Sequence, residues 1–447
     1  MGSRRGWARR AWAGLFGAGT VIALGTVPAA AADAVTFHVT ATVPVATRPV
    51  GVGVEPSTRA VYVASGPTNS VSVIDADTDL VTATVTVGAG ANGVAVDTLS
   101  HTVYVTNTAA NTLSVIDATT QRVTATVPTG PQPYFVAADA RAYTAYVTNV
   151  GSDTVTVVDT ATATARATIT VGNQPAGVAV DPYSRRVYVA TSNAGDTVSV
   201  LDADLDTVLT TIAVGTNPAG IAVDPAADAA YVATDGGLVV VDTSTNAVIT
   251  TIAVGGRPYG VAVDPVTHLV YVTNLGTGTI SVVDGVTRAV LRTLIAGSSP
   301  AGVDIDPLDH VAYVANAGGD NVTVVGRWVA PAITAQPADR TVASGATATF
   351  TVAGSGSPRP QVRWQVRAPA RQGWRTLPGA TDWTLSLLAT GRQDGLWYRA
   401  VLLSPAGSAT SDAARLTVTG GSLGGAPPPS LPAPGPPRYL PPQPPPA

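Results

Sequence analysis

Apolar and polar positions through most of this chain fall into short runs that recur in the same order. Residues 163–202 hold four of them. The first, Ala163–Val171, ends in a Gly172-Asn173-Gln174-Pro175 turn. The second, Ala176–Val180, ends in Asp181-Pro182. Val187–Ala190 and Val198–Leu201 follow, and Asp202 closes the unit. Runs of about four to eight residues, rich in Val, Ile and Thr and broken by Gly, Pro, Asn and Asp, read as strands. Each position in the order has its own character. The first run alternates, as in Val81-Thr82-Ala83-Thr84-Val85-Thr86-Val87, and suits a half-solvated outer strand. The second is built of small residues, such as Gly93, Ala95, Gly177 and Ala179, and suits an inner strand where units crowd together. The third, a V-Y-V run, is apolar throughout and suits a strand covered on both faces.

The repeat is long. Tyr62, Tyr104, Tyr146, Tyr188, Tyr231, Tyr271 and Tyr313 follow one another at steps of 42, 42, 42, 43, 40 and 42 residues. A period of about 40 residues with four strands per unit is that of propeller blades. Inner runs starting near Pro49, Ala91, Pro133, Pro175, Pro218, Pro258 and Pro300 predict seven blades. The chain opens the repeat with an outer-strand run, His38–Val45, that has no blade before it. It ends the repeat with Asn321–Val325, which has no outer strand after it. The N-terminal strand is therefore expected to complete the last blade and hide its edge.

Tyr104-Val105-Thr106-Asn107, Tyr146-Val147-Thr148-Asn149 and Tyr271-Val272-Thr273-Asn274 resemble the repeat of YVTN-type propellers, a family that includes YncE-like and surface-layer proteins. Tyr62, Tyr188, Tyr231 and Tyr313 depart from it, being followed by V-A-S, V-A-T, V-A-T and V-A-N. The resemblance implies a seven-bladed fold and a mostly non-enzymatic binding role outside the cytoplasm, with no fixed ligand.

After Trp328 the period stops. The runs around Thr341–Val352, Val362–Gln365, Thr384–Leu387, Trp397–Val401 and Ala414–Val418 look like an immunoglobulin-like sandwich. Trp364 stands at the core tryptophan position and Tyr398 at the corner tyrosine. Val352 and Ala400 occupy the usual cysteine positions, so apolar packing replaces the bridge. The expected organisation is an export signal at 1–32, a propeller at 33–327, an Ig-like module at 328–419 and a Gly/Pro-rich tail at 420–447. The tail lacks the apolar residues to pack and is expected to be disordered.

Composition narrows the chemistry. The 447 residues include no cysteine, so disulfides, zinc thiolates and thiol nucleophiles are excluded. There is also no lysine and hence no P-loop. Arg4, Arg5, Arg9 and Arg10 precede an apolar stretch and then Pro28–Ala32, which reads as an export signal. Both a twin-arginine and an ordinary secretory signal fit, and a permanent membrane span is not expected. Residues 33–327 carry 11 Arg and 25 acids, net −14. Residues 328–419 carry 9 Arg and 4 Asp, net +5. The acidic propeller disfavours nucleic acid.

Candidate sites follow from departures within the repeat. Glu55, Asp97, Asp139, Asp181, Asp224, Asp264 and Asp306 end the inner strands; a turn-capping role is expected, because such a ring is too wide to converge on one cation. His101, His268 and His310 share one turn position in blades two, six and seven, read as a variable exposed turn and not as a metal site. Phe135 replaces a usual Gly, Tyr134 and Tyr259 replace small residues, and Asp304 replaces Ala. With Arg48, Asn92 and Arg257 on neighbouring loops, Tyr134, Phe135 and Tyr259 form the expected ligand-binding set. The Asn107, Asn149, Asn274 and Asn316 positions lead toward that face. Arg363, Arg367 and Arg371 are the expected contacts for an anionic polymer. No catalytic residue, metal or cofactor is assigned. The expectation is a monomeric, exported, non-catalytic surface protein that contacts a glycan, wall polymer or protein. Alternatives are a metal-dependent lactonase or lyase of propeller type, and a structural surface-layer component.

Overall fold

The computed structural model describes residues 35–420, apart from 193–194, 358 and 371. The expected export signal, the tail beyond 420 and Arg371 lie outside the described residues. The described chain is all-β save for two short 3-10 turns. Repeated four-stranded antiparallel sheets build a propeller-like arrangement. Six of these sheets use four consecutive strands each, from Pro49–Glu55 onward. A seventh uses Pro300–Asp306, Val311–Asn316 and Asn321–Ala335, with Thr36–Pro44 paired antiparallel along the last of them.

Inner strands are small because they touch. A Cβ on Gly220 would lie 2.3 Å from the Tyr259 carbonyl oxygen, and one on Gly302 would lie 2.3 Å from that of Val50. The inner strand of the seventh sheet thus abuts that of the first. Outer strands are less regular than their alternation predicts. A register shift opposite Val73 and Ile74 breaks the pattern, and Val81 is left exposed.

The Y-V-T-N residues act as ties between and within sheets. The Tyr62 hydroxyl donates to the Ala118 carbonyl of the next sheet at 3.0 Å, and that of Tyr231 donates to Gly285 at 3.2 Å. Burial, reinforced by the Glu55 charge, pushes the Tyr62 phenol up to about 12. The Thr273 hydroxyl accepts from Gly260 N at 2.7 Å and donates to the Ala301 carbonyl of the next inner strand at 2.6 Å. Thr106 and Thr148 do the same toward Tyr134 and Ala176, each at 2.8 Å. Asn274 Nδ2 donates to Thr279 and Ser281 of the third strand at 3.1 and 3.0 Å. Its side chain fills the space under Gly255, where a Cβ would meet it at 2.5 Å. The asparagines are fully buried, so they support the loop face rather than line it.

A second set of ties runs along the opposite edge and corrects the expectation of an exposed turn at His268 and His310, while His101 is exposed as expected. Asp264 Oδ1 accepts from Val266 N and Thr267 N, as a turn cap should. Its Oδ2 lies 2.7 Å from His310 Nδ1 of the next sheet. Asp224 meets His268 in the same way at 2.7 Å, Arg185 pairs with Asp139, and Arg59 pairs with Asp306. Burial raises the Asp264 carboxyl, but the Thr267, Val266 and His310 hydrogen bonds outweigh it and leave the group below its ordinary range. Arg59, His268 and His310 all adopt left-handed backbone, at φ 56°, 58° and 58°. That conformation costs such residues roughly 1 kcal/mol, which the cross-sheet pairing offsets.

The seventh sheet has no loop at its far end. Asn321–Ala335 is one strand of 15 residues, and the expected boundary at 327/328 falls inside it. Its first half pairs with Thr36–Pro44; its second half pairs with Ala353–Ser357. His38 stacks on Trp328 at 4.0 Å across the pairing. Beyond it, a second all-β unit closes around Trp364, Phe350, Tyr398 and Leu402, with Val352 and Ala400 in the same core. Trp364 Nε1 donates to the Asp382 carbonyl at 2.9 Å.

The cross-sheet tie predicts a cost. Thr273→Val is nearly isosteric but strands both Gly260 N and the Ala301 carbonyl. It should lower unfolding free energy by about 1–3 kcal/mol in urea titration. A change within about 0.5 kcal/mol would show that the tie does not hold the sheets together.

Candidate functional site

All seven inner strands line an axial cavity of ≈320 Å³. Its wall is glycine, valine, alanine and isoleucine, with two exceptions, Phe135 and Asp304. Phe135 stands where Gly51, Gly93, Gly177, Gly220, Gly260 and Gly302 stand in the other strands. Its ring meets Tyr134 edge-on at 5.0 Å and lies 6.3 Å from Tyr259. The Tyr134 and Tyr259 hydroxyls are 2.6 Å apart. These residues belong to the third and sixth sheets, which are separated by two sheets one way and three the other. The hydroxyl pair therefore spans the axis. Burial, then the neighbouring Tyr134, hold the Tyr259 phenol well above its ordinary range. Tyr259 thus acts as a hydrogen-bonded neutral phenol.

Three depressions lie on the loop face near this bridge. One of ≈670 Å³ is lined by Arg48, Asn92, Thr108, Asn111 and Gln132. Thr108 and Gln132 also border a second of ≈300 Å³, together with Tyr134, Gln174 and Ser192. Tyr134, Ala176 and Ser192 in turn border a third of ≈550 Å³, which holds Asn217, Asp235, Arg257 and Tyr259. The three depressions share wall residues and lie side by side on the loop face. Arg48 and Gln132 sit at positive φ, and their backbone amides are fixed by Asp320 and Asn111 at 2.9 Å each. Asn217 Nδ2 donates to Asp235 at 2.5 Å.

The structure thus divides the expected ligand set. Arg48 and Asn92 line the first depression; Tyr134, Arg257 and Tyr259 line the third; Phe135 points into the cavity beneath. Arg363 and Arg367 lie on a different sheet, in the strand Gln361–Arg367, and Arg371 falls outside the described residues. Sequence reading missed Asp235, which lies on a second-to-third turn. It also missed Trp374, whose ring carries the Arg367 guanidinium at 4.9 Å, and Arg399, which meets the same ring at 4.3 Å. The cross-strand register that brings Arg399 beside Gln365 has no local signal in the sequence. Among the described residues no three His, Asp or Glu side chains gather as a metal-binding group. Among them, too, no helix is long and apolar enough to cross a membrane.

No family model matches the chain. Over 89 residues it is 56% identical to Endoglucanase C of Cellulomonas fimi, a match covering 20% of this chain and 8% of that enzyme. The chain therefore spans less than a tenth of the enzyme's length. Among solved structures it resembles Kuenenia stuttgartiensis Hydrazine Synthase, with a TM-score of 0.58 and 20% identity. That alignment covers 63% of this chain and 96% of the other, and at such identity shows only a shared propeller-like fold.

Asp304 is the one carboxylate in the axial cavity wall. Gly53, Ala95, Ala137, Ala179, Ala222 and Ala262 hold its place elsewhere. Its Oδ2 accepts from Val54 N at 2.9 Å. Burial raises its pKa to about 6, against the Val54 and Ile305 amide hydrogen bonds and with help from Asp306. The folded chain thus binds this proton more tightly than the unfolded chain. Stability is fullest below about pH 4, falls as pH rises toward 6, and stays reduced above it. Asp304→Asn keeps the amide's acceptor and removes the charge. The variant should be more stable than the parent at pH 7.5, by roughly 2–3 kcal/mol at most, and so melt higher there, and it should match the parent at pH 4. An equal or lower melting temperature at pH 7.5 would contradict a strained carboxylate.

Proposed function

We propose that this chain is an exported, non-catalytic carbohydrate-binding protein of the cell surface. In this reading the sheets form a seven-bladed propeller closed by Thr36–Pro44, and the second unit is an Ig-like sandwich. The pairing of Thr36–Pro44 with Asn321–Trp328 and the burial of Trp364 support those assignments. The observation that carries the function is the row of adjoining depressions beside the Tyr134–Tyr259 hydroxyl bridge, which we read as one groove. Tyr134 and Tyr259 offer apolar ring edges, while Arg48, Asn92, Gln132 and Arg257 offer donors at its two ends. Such a combination suits a string of sugar rings, whose C–H faces are apolar and whose rims are hydroxyls. The likeness to a stretch of an endoglucanase supports a carbohydrate setting. The 89-residue match has the length of the expected sandwich, and we assign it there. The export pattern at residues 1–32 supports work outside the cytoplasm.

Calorimetry of the full chain with cellohexaose tests the reading. Binding is expected, and Tyr259→Ala with Arg257→Ala should weaken it by about tenfold or more. Unchanged affinity in that variant, or no binding across a panel of neutral oligosaccharides, would refute the groove. Release of reducing ends by the purified chain would refute the non-catalytic assignment.

A further inference from the structure

The second unit has an unbalanced face that the groove does not use. Ion pairs of the described arginines all involve Arg59, Arg166, Arg185 or Arg186 in the repeat region. Among the described residues beyond 328, no arginine pairs with a carboxylate. Two of the aspartates there serve the backbone instead, Asp339 accepting from Arg415 N and Asp394 from Val418 N.

Register gathers the positive charge. In Gln361–Arg367, Val362 and Trp364 are buried while Arg363, Gln365 and Arg367 take the other face. Across the ladder Arg363 faces Val401, Gln365 faces Arg399, and Arg367 faces Trp397. Trp397 in turn faces the exposed Arg415. The Arg367 and Arg399 guanidinium carbons lie 4.9 and 4.3 Å from the Trp374 ring centre, so they are within about 9 Å of each other. Arg399 Nε also donates to Gln365 Oε1 at 2.9 Å. Burial, and then the Arg367 charge, lower the Arg399 pKa. Two like charges are thus held on one indole with their positions fixed and no counter-charge supplied. Stacking covers the flat faces of guanidinium groups and leaves their N–H edges for planar anions.

We propose that this face, formed by Arg363, Arg367, Arg399 and Trp374, binds a carboxylate-bearing polysaccharide. Because the indole is engaged by guanidinium groups, recognition runs through charge-assisted hydrogen bonds to carboxylates rather than through sugar stacking. The choice of a polysaccharide over another polyanion rests on the carbohydrate reading above. The face makes the protein bivalent, with neutral sugars in the groove and acidic ones here.

The test uses the full chain with polygalacturonate, cellohexaose and duplex DNA, at low and physiological salt. Polygalacturonate should bind, more weakly at higher salt. Arg367→Gln with Arg399→Gln should weaken it about tenfold or more, and Arg367→Lys with Arg399→Lys should recover part of the loss. Tyr259→Ala should leave it unchanged. Arg363→Gln, away from the indole, provides a second variant should the double variant misfold. Polygalacturonate binding that is absent or indifferent to all these arginine changes overturns the proposal. Tighter binding of DNA through the same arginines overturns it as well. Loss of cellohexaose binding with polygalacturonate binding kept would sink the groove reading and leave this one standing.

Discussion

Hydrogen bonds that cross from one sheet to the next are the constraint on which the rest of this fold depends. A four-stranded sheet of short strands cannot hide both faces alone. Its neighbours cover it, and the covering must be held at a fixed angle around the axis. Here that is done at two heights. Near the loop face, Thr273 bridges Gly260 and Ala301. Near the opposite edge, inner-strand carboxylates are met by His or Arg from the next sheet, as in Asp264 with His310. Tyrosine hydroxyls add a third tie where their acceptors are in reach. Each is buried or half-buried, so each would leave a stranded polar group if cut.

This stapling lets the inner strands vary. Seven strands share one cavity, and apart from Phe135 and Asp304 they present only glycine, alanine, valine and isoleucine to it. Phe135 and Asp304 break that rule without displacing a neighbour, because the ties fix the walls independently of what fills the centre. The Tyr134–Tyr259 bridge uses the same freedom and links inner strands from opposite sides of the cavity. Function and stability therefore draw on different atoms. The groove is built from loop residues, while the Y-V-T-N positions beneath it are structural.

Much of this was legible in the sequence, because a period of about 40 residues leaves few architectures open. Run order also predicted which strand would pair with Asn321–Val325. Departures from the repeat pointed to Tyr134, Phe135 and Tyr259, and the structure brings these three together. What escaped notice lies between repeats. The His268 and His310 turns look exposed when read one unit at a time, and only the neighbouring sheet supplies Asp224 and Asp264. The 327/328 boundary, where the period ends, falls inside one continuous strand whose pairing passes from Thr36–Pro44 to Ala353–Ser357 just beyond it. Trp374 and Arg399 join Arg367 through tertiary contacts that no local pattern encodes.

Chemically, the molecule is a propeller-like set of four-stranded sheets whose loop face offers amides, phenols and guanidinium groups, and one unbroken strand, Asn321–Ala335, leads from it into a basic all-β unit. The central claim is that this groove takes a chain of neutral sugars. Hydrogen–deuterium exchange of the full chain, with and without saturating cellohexaose, tests it most directly. The account predicts slowed exchange confined to the loops around Arg48, Asn92, Gln132 and Arg257, with the sheet edge carrying His268 and His310 unchanged. Protection at that opposite edge, or none on the loop face, would contradict it.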